Sequence, residues 1–291
     1  MRNKSFMGTG VAVITPFTKN NEVDHNALEK IIEHLISGGI KYLVALGTTA
    51  ETPTLSTEEK YQILDTFFKV NNGRLPIAIG AGGNNTPYVV KWIDSLNKYP
   101  HSGLLSVTPY YNKPNQSALV HHFGAIANST NHPIILYNVP SRTGCNMLAS
   151  TTIELAKKHN NIVCIKEASG DMSQIMAIEN ESPEDFYIVS GEDALTLAMI
   201  STGTKGVISV IAQAYPKEFS QMVEFAMDGD FEKAKNLHYK LLNITNSIYD
   251  EGNPVGIKFL MSELGLCEPN VRMPLIPASK TLENKIKSLM I

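Results

Sequence analysis

The sequence predicts an α/β protein, a (β/α)8 TIM barrel with a C-terminal helical region. Two patterns carry that expectation. Short runs rich in Val, Ile and Leu recur down most of the chain without polar alternation, as strands buried on both faces of a parallel sheet do. Between them lie segments whose apolar residues return at helical spacing and whose far ends commonly carry Gly-Gly, Asn-Gly or Pro. A doubly wound open sheet is the alternative. Its dinucleotide fingerprint is weak here, because "GAGGNNTP" has glycines after a strand but at the wrong spacing.

Taken in order, the strands are expected at Gly10 to Phe17, Tyr42 to Thr49, Pro76 to Gly83, Gly103 to Tyr111, Pro133 to Pro140, Ile162 to Ser169, Phe186 to Asp193 and Gly206 to Ala212. Eight such units suit a closed barrel. The segments "HNALEKIIEHLIS", "TEEKYQILDTFFKV" and "TPYVVKWIDSLNK" are the clearest of the intervening helices. From about Phe231 the pattern turns purely helical ("FEKAKNLHYKLLNITNSIY", then "PVGIKFLMSELGL"), with no linker before it. The expected division is a catalytic barrel over 1–229 and a helical region over 230–291 suited to assembly.

Composition narrows the class. With 43% hydrophobic and 18% charged residues, 25 basic against 28 acidic side chains and a net charge of -3, the chain has an ordinary globular balance. Its basic residues are dispersed, which argues against a nucleic-acid partner. Cys145, Cys164 and Cys267 cannot pair completely and none lies in a CxxC arrangement, so a reducing compartment and no structural metal are expected. Val11 to Ile14 is too short for the core of a leader peptide, and no run approaches the ~20 apolar residues of a membrane span. The expected location is the cytoplasm.

In such a barrel the functional residues lie at the C-terminal ends of the strands. There the sequence has Gly47-Thr48-Thr49 after strand two, Thr108 to Tyr111 after strand four, Tyr137-Asn138 at strand five, Lys166-Glu167 at strand six and Ser190-Gly191 at strand seven. Lys166 ends an apolar run. A lysine so placed has a carboxylate partner or serves as a nucleophile or base. Glu167 adjoins it but should point to the opposite, helical face. Position alone leaves the ion pair and the reactive amine both open. Tyr137, on the neighbouring strand, could move the protons of a carbinolamine or could merely cap the barrel. Thr48 and Tyr111 could continue a hydroxyl relay, or be a turn residue and a surface aromatic. Thr49 and the amides of its turn could hold a carboxylate.

The motifs "GTTAET", "VTPYYNKP", "LYNVPSRTG", "CIKEASGD", "SGED" and "GVISV", in that order across nearly the whole chain, resemble those of the dihydrodipicolinate synthase family, pyruvate-dependent class I aldolases and lyases. The resemblance implies a (β/α)8 barrel assembled as a tetramer of tight dimers, a Schiff base between Lys166 and pyruvate, Tyr137 as proton donor and acceptor, and Thr48 and Tyr111 completing the relay, with Tyr111 serving the neighbouring subunit. It assigns Thr49, Arg142, Gly191 and Ile208 to substrate binding. Arg142 discriminates within the superfamily, because it implies L-aspartate 4-semialdehyde as second substrate where sugar-acid lyases are expected to lack arginine. The alternative for Arg142 is a solvated loop charge. No metal or organic cofactor is implied, since the amine is the electron sink.

Other classes remain as alternatives. A sugar-acid lyase or aldolase of the same superfamily would share Lys166 and Tyr137. A pyruvate-binding regulatory barrel could dispense with the relay hydroxyls, all of which this chain keeps. A phosphate-binding barrel would place its glycine-rich site after strands seven and eight, whereas "GTKG" precedes strand eight. Ala50 stands where the family usually has glycine, which raises a question about the strand-two turn. Feedback by L-lysine is expected to be weak or absent. Asn84 and Tyr110 match regulated relatives, but Tyr88 stands in place of the glutamate expected to accept the effector's ammonium, and Lys60 in place of a frequent histidine.

Overall fold

The structure, a computed structural model, describes residues 4–291. Met1, Arg2 and Asn3, the start of the stretch weighed above as a leader, lie outside the described residues. Eight parallel strands close in sequence order. They are β1 (Gly8–Ala12), β2 (Tyr42–Ala45), β3 (Ile77–Gly80), β4 (Gly103–Val107), β5 (Ile134–Asn138), β6 (Ile162–Glu167), β7 (Tyr187–Ser190) and β8 (Gly206–Ser209). The last closure, β8 against β1, pairs Gly206 with Gly8. Gly206 has φ of +146°, and a Cβ on it would stand 2.1 Å from the Gly8 carbonyl oxygen, so glycine is required where the barrel shuts.

The strands end earlier than the apolar runs do. Val13 to Phe17, Leu46 to Thr49 and Thr108 to Tyr111 read as strand from composition but leave the ladder to form the loops of the mouth. Leu46 (φ 55°) and Tyr111 (φ 72°) adopt left-handed backbone that no strand allows. Val13, Ile14, Phe17 and Leu46 are apolar because they belong to the core on the helical side of the sheet, which is why composition alone overextends those strands.

Alternate strand residues feed two separate cores. Val11, Leu43, Ala45, Ile77, Ile79, Leu104 and Ile165 face the helical layer. Tyr42, Val44, Ala78, Leu105, Ile135, Tyr137, Val189 and Ile208 fill the barrel interior. Phe6 meets Tyr42 edge to face at the N-terminal end, with ring centroids 5.4 Å apart. The Tyr42 hydroxyl donates to the Val207 carbonyl at 3.0 Å, satisfying the polar atom in that plug. The bottom is thus filled, and the functional face is the opposite end.

The helices begin where their caps dictate. Asp24 accepts the Ala27 N–H at 2.9 Å to open His25–Ser37. Ser56 and Glu59 form a capping box for Thr57–Asn71, which stops at Asn72 in left-handed conformation. After β8 come Pro216–Met227, Phe231–Ser247, Val255–Glu263 and Lys280–Leu289. The helix Val255–Glu263 is buried from Val255 to Met261, and that stretch includes Lys258. The Lys258 ammonium meets the buried carboxylate of Glu51, donates to the Asn270 carbonyl at 2.8 Å and lies 4.0 Å from the Phe17 ring centroid. Burial lowers the Lys258 pKa, and Glu51 opposes that shift. The other Glu51 oxygen accepts the Arg272 N–H at 2.8 Å. The Arg272 guanidinium in turn reaches the carbonyls of Asn21 and Thr54 and the Glu59 carboxylate. The C-terminal region is therefore fastened to the loops that follow β1 and β2.

Removing one partner of a buried ion pair leaves the other charge unpaired. Lys258→Ala should lower unfolding free energy by about 3–5 kcal/mol in denaturant titration, whereas a loss under about 1 kcal/mol would place the pair among weak surface contacts.

Candidate active site

Strand β6 carries the lysine singled out from the sequence. Its alternation sends Lys166 into the barrel and Glu167 outward. Glu167 there accepts the Asn138 amide at 3.1 Å, the Gln174 amide at 3.1 Å and the Ser169 N–H at 2.8 Å. Burial raises its pKa and those bonds oppose the rise. Glu167 is thus engaged on the far side of the sheet. Lys166 is 5% exposed, and its side-chain nitrogen has no hydrogen bond or ion pair among the described residues. The ion-pair reading of Lys166 finds no carboxylate.

What Lys166 does face is a phenol. The register of β5 against β6 pairs Tyr137 with Lys166, and the ammonium nitrogen lies 4.4 Å from the Tyr137 ring centroid. Tyr137 is buried in the interior core. Its hydroxyl makes no hydrogen bond to Thr48 or Tyr111 in this chain. On the other flank, a Cβ on Gly191 would stand 3.1 Å from the Lys166 Cε and 2.6 Å from the Ala168 Cβ, so Gly191 keeps open the space beside the lysine. Ile208 joins Tyr137 in the same interior cluster.

The β2 loop supplies donors. Thr48–Ala50 form a single 3-10 turn, and the backbone N–H groups of Thr48 and Thr49 have no partner among the described residues. Thr48 is exposed, and Thr49 is buried and accepts the Asn253 amide at 3.0 Å. Ala50 does not have positive φ; the left-handed residue of this turn is Glu51, at φ 52°. The alanine therefore costs the turn no strain, and its carbonyl accepts the Thr15 hydroxyl at 2.8 Å.

The remaining site candidates lie on the rim. Arg142 is exposed on the short helix Pro140–Thr143 that follows β5, and it makes no ion pair among the described residues. Tyr111 is 85% exposed, in the loop after β4. Two acids of the "SGED" stretch were not singled out from sequence. Burial and neighbouring Asp193 raise the pKa of Glu192, while Lys166 and Arg142 oppose them, so the Glu192 carboxylate lies in the field of both cations. Asp193 is buried and accepts the N–H groups of Val210 and Ile211 at 2.9 and 3.0 Å, tying the β7 loop to the β8 loop. The signal available for both was their place immediately after a strand end.

Known proteins match the chain along nearly its whole length. A family model described as the dihydrodipicolinate synthetase family matches residues 5–290. The 4-hydroxy-tetrahydrodipicolinate synthase of Flavobacterium psychrophilum is 48% identical over 283 residues, 97% of either chain. Among solved structures, dihydrodipicolinate synthase from Aquifex aeolicus superposes with a TM-score of 0.95 at 38% identity, covering 98% of this chain and 97% of that one. A dihydrodipicolinate synthase variant characterised as monomeric superposes at 0.96 with 34% identity, covering 98% of this chain and 96% of that one. With its barrel, its unpaired interior lysine and these full-length matches, the chain belongs to the dihydrodipicolinate synthetase family.

Proposed function

We propose that this chain condenses pyruvate with L-aspartate 4-semialdehyde through a Schiff base on Lys166, giving 4-hydroxy-tetrahydrodipicolinate on the way to diaminopimelate and lysine. The observation that carries the reading is the buried amine of Lys166, without a carboxylate partner and against the ring of Tyr137. The neutral amine adds to the C2 carbonyl of pyruvate and water leaves, forming an iminium; loss of a C3 proton gives the enamine. Its C3 attacks the aldehyde of the second substrate. That substrate's own amine then displaces Lys166, closing the ring and regenerating the enzyme. Addition, loss of water and the final displacement of Lys166 move protons at nitrogen and oxygen, the role we give to the Tyr137 hydroxyl. The iminium formed on Lys166 is the electron sink, so the proposed cycle calls for no metal or organic cofactor.

Thr49 and the free amides of its turn suit the pyruvate carboxylate, and Arg142 suits the carboxylate of the semialdehyde as a guanidinium that can grip it with two parallel bonds. Gly191 and Ile208 shape the space beside the lysine. The exposure of Tyr111 supports its insertion into a second copy's site to complete the relay with Thr48, and hence a tight dimer, paired into a homotetramer. Sedimentation at assay concentration tests this, and a fully active monomer would contradict it. The free cysteines Cys145, Cys164 and Cys267 support a reducing, cytoplasmic setting.

Kinetics separate the roles. Tyr137→Phe should lower kcat by about a hundredfold or more, the range of a lost general acid–base group. Arg142→Ala should mainly raise KM for the semialdehyde and spare that for pyruvate. Equal weakening of both substrates would refute the assignment of Arg142, and turnover of an N-acetylated or 2-keto-3-deoxy sugar acid in preference to the semialdehyde would favour the sugar-acid reading.

The same assay tests regulation. Asn84 donates to the Tyr110 carbonyl at 3.3 Å, but Tyr88 offers no charge and Lys60 lies half-buried with its nitrogen 6.0 Å from the Trp92 ring centroid. An effector ammonium there loses a charge-assisted bond worth about 1.5–3 kcal/mol, or roughly tenfold to a hundredfold in affinity. L-lysine should inhibit weakly or not at all at subsaturating pyruvate, and strong submillimolar inhibition would contradict this.

A further inference from the structure

We infer that Asn253, in the C-terminal region, is a positioning residue that fixes the direction of the Thr49 hydroxyl and so tunes the pyruvate carboxylate site. The inference rests on the function proposed above. A threonine hydroxyl has one proton to donate and lone pairs to accept. The Asn253 side-chain amide donates to the Thr49 oxygen at 3.0 Å. With a lone pair so occupied and no acceptor for the hydroxyl proton among the described residues, Thr49 is left as a donor. It is buried, so water does not readily take that proton. The turn therefore presents two backbone N–H groups and one O–H group without acceptors, the donor set a carboxylate needs.

The donor in this bond comes from outside the barrel strands. Asn253 stands on the approach to the helix Val255–Glu263, whose Lys258 is locked on Glu51, two residues beyond Thr49. Two contacts thus join the same two segments: the ion pair fixes their separation and the amide orients the hydroxyl. The Asn253 carbonyl oxygen is buried without a partner, so no competing bond on that side holds the amide. The reversed amide would draw the Thr49 proton to Asn253 and leave the carboxylate only the backbone donors. The two orientations differ in what a carboxylate at position 253 would do.

Initial rates with pyruvate and the semialdehyde, alongside melting temperatures, test this on the full chain. Asn253→Ala should raise KM for pyruvate severalfold while leaving KM for the semialdehyde near its original value. Asn253→Asp, nearly isosteric but an acceptor, should capture the hydroxyl proton and place a negative charge beside the site, raising KM for pyruvate tenfold or more. In a Thr49→Val background, Asn253→Ala should add no further increase. An Asn253→Asp variant no worse than Asn253→Ala, or additivity with Thr49→Val, would overturn the inference. If the Asp variant does not fold, the Thr49→Val comparison decides alone. A parent chain that turns over normally beside Asn253 variants of unchanged pyruvate KM removes this inference only. A parent chain with no condensation activity removes the proposed function and this inference with it.

Discussion

The buried contact between Lys258 and Glu51 joins the two parts of the molecule that the site needs together. Glu51 closes the turn that displays Thr48 and Thr49, and Lys258 lies in the middle of the most buried C-terminal helix. Neither charge is tolerable alone in that environment, so the pair forces the helix and the turn into one arrangement. Arg272 adds a second fastening through Glu51 and Glu59. The C-terminal helices therefore hold the β2 loop, and through Asn253 that region touches Thr49 of the candidate site.

The barrel supplies the complementary constraint. Closing eight parallel strands brings their C-terminal ends to one mouth, while Phe6, Tyr42 and Tyr187 fill the other end. The register of β5 against β6 then sets Tyr137 beside Lys166 without any loop having to place them. The proton transfers we propose for Tyr137 need a fixed separation from Lys166, and strands hold it more rigidly than loops can.

One signal in the sequence occurs twice and means different things. "IVCIKE" and "VGIKFLM" each put a lysine within an apolar run, at Lys166 and Lys258. The first was legible as a candidate nucleophile because it ends a strand and its neighbouring acid points away. The second was passed over within a helical pattern, and its partner Glu51 lies far away in sequence, beyond the reach of local periodicity. The alternation of strand and helix and the closed barrel were readable from hydrophobic pattern; the face proposed for the site follows from where barrels carry their functional residues. Strand ends were not readable, because Val13 to Phe17 and Leu46 are apolar for reasons of loop packing. The concern over Ala50 dissolves because the left-handed backbone falls one residue later, a shift that composition does not encode. The Asn253 to Thr49 bond had no sequence signal, since an Asn-Pro pair reads equally well as a turn.

Among the described residues Lys166 is a buried lysine whose nitrogen has no hydrogen bond or ion pair, and we propose that it forms the imine. The most direct measurement is borohydride reduction of the protein with pyruvate, followed by peptide mapping. The account predicts a single carboxyethyl group on Lys166, with activity lost in proportion to its incorporation. An unmodified Lys166 peptide, or modification of Lys258 in its place, would contradict it.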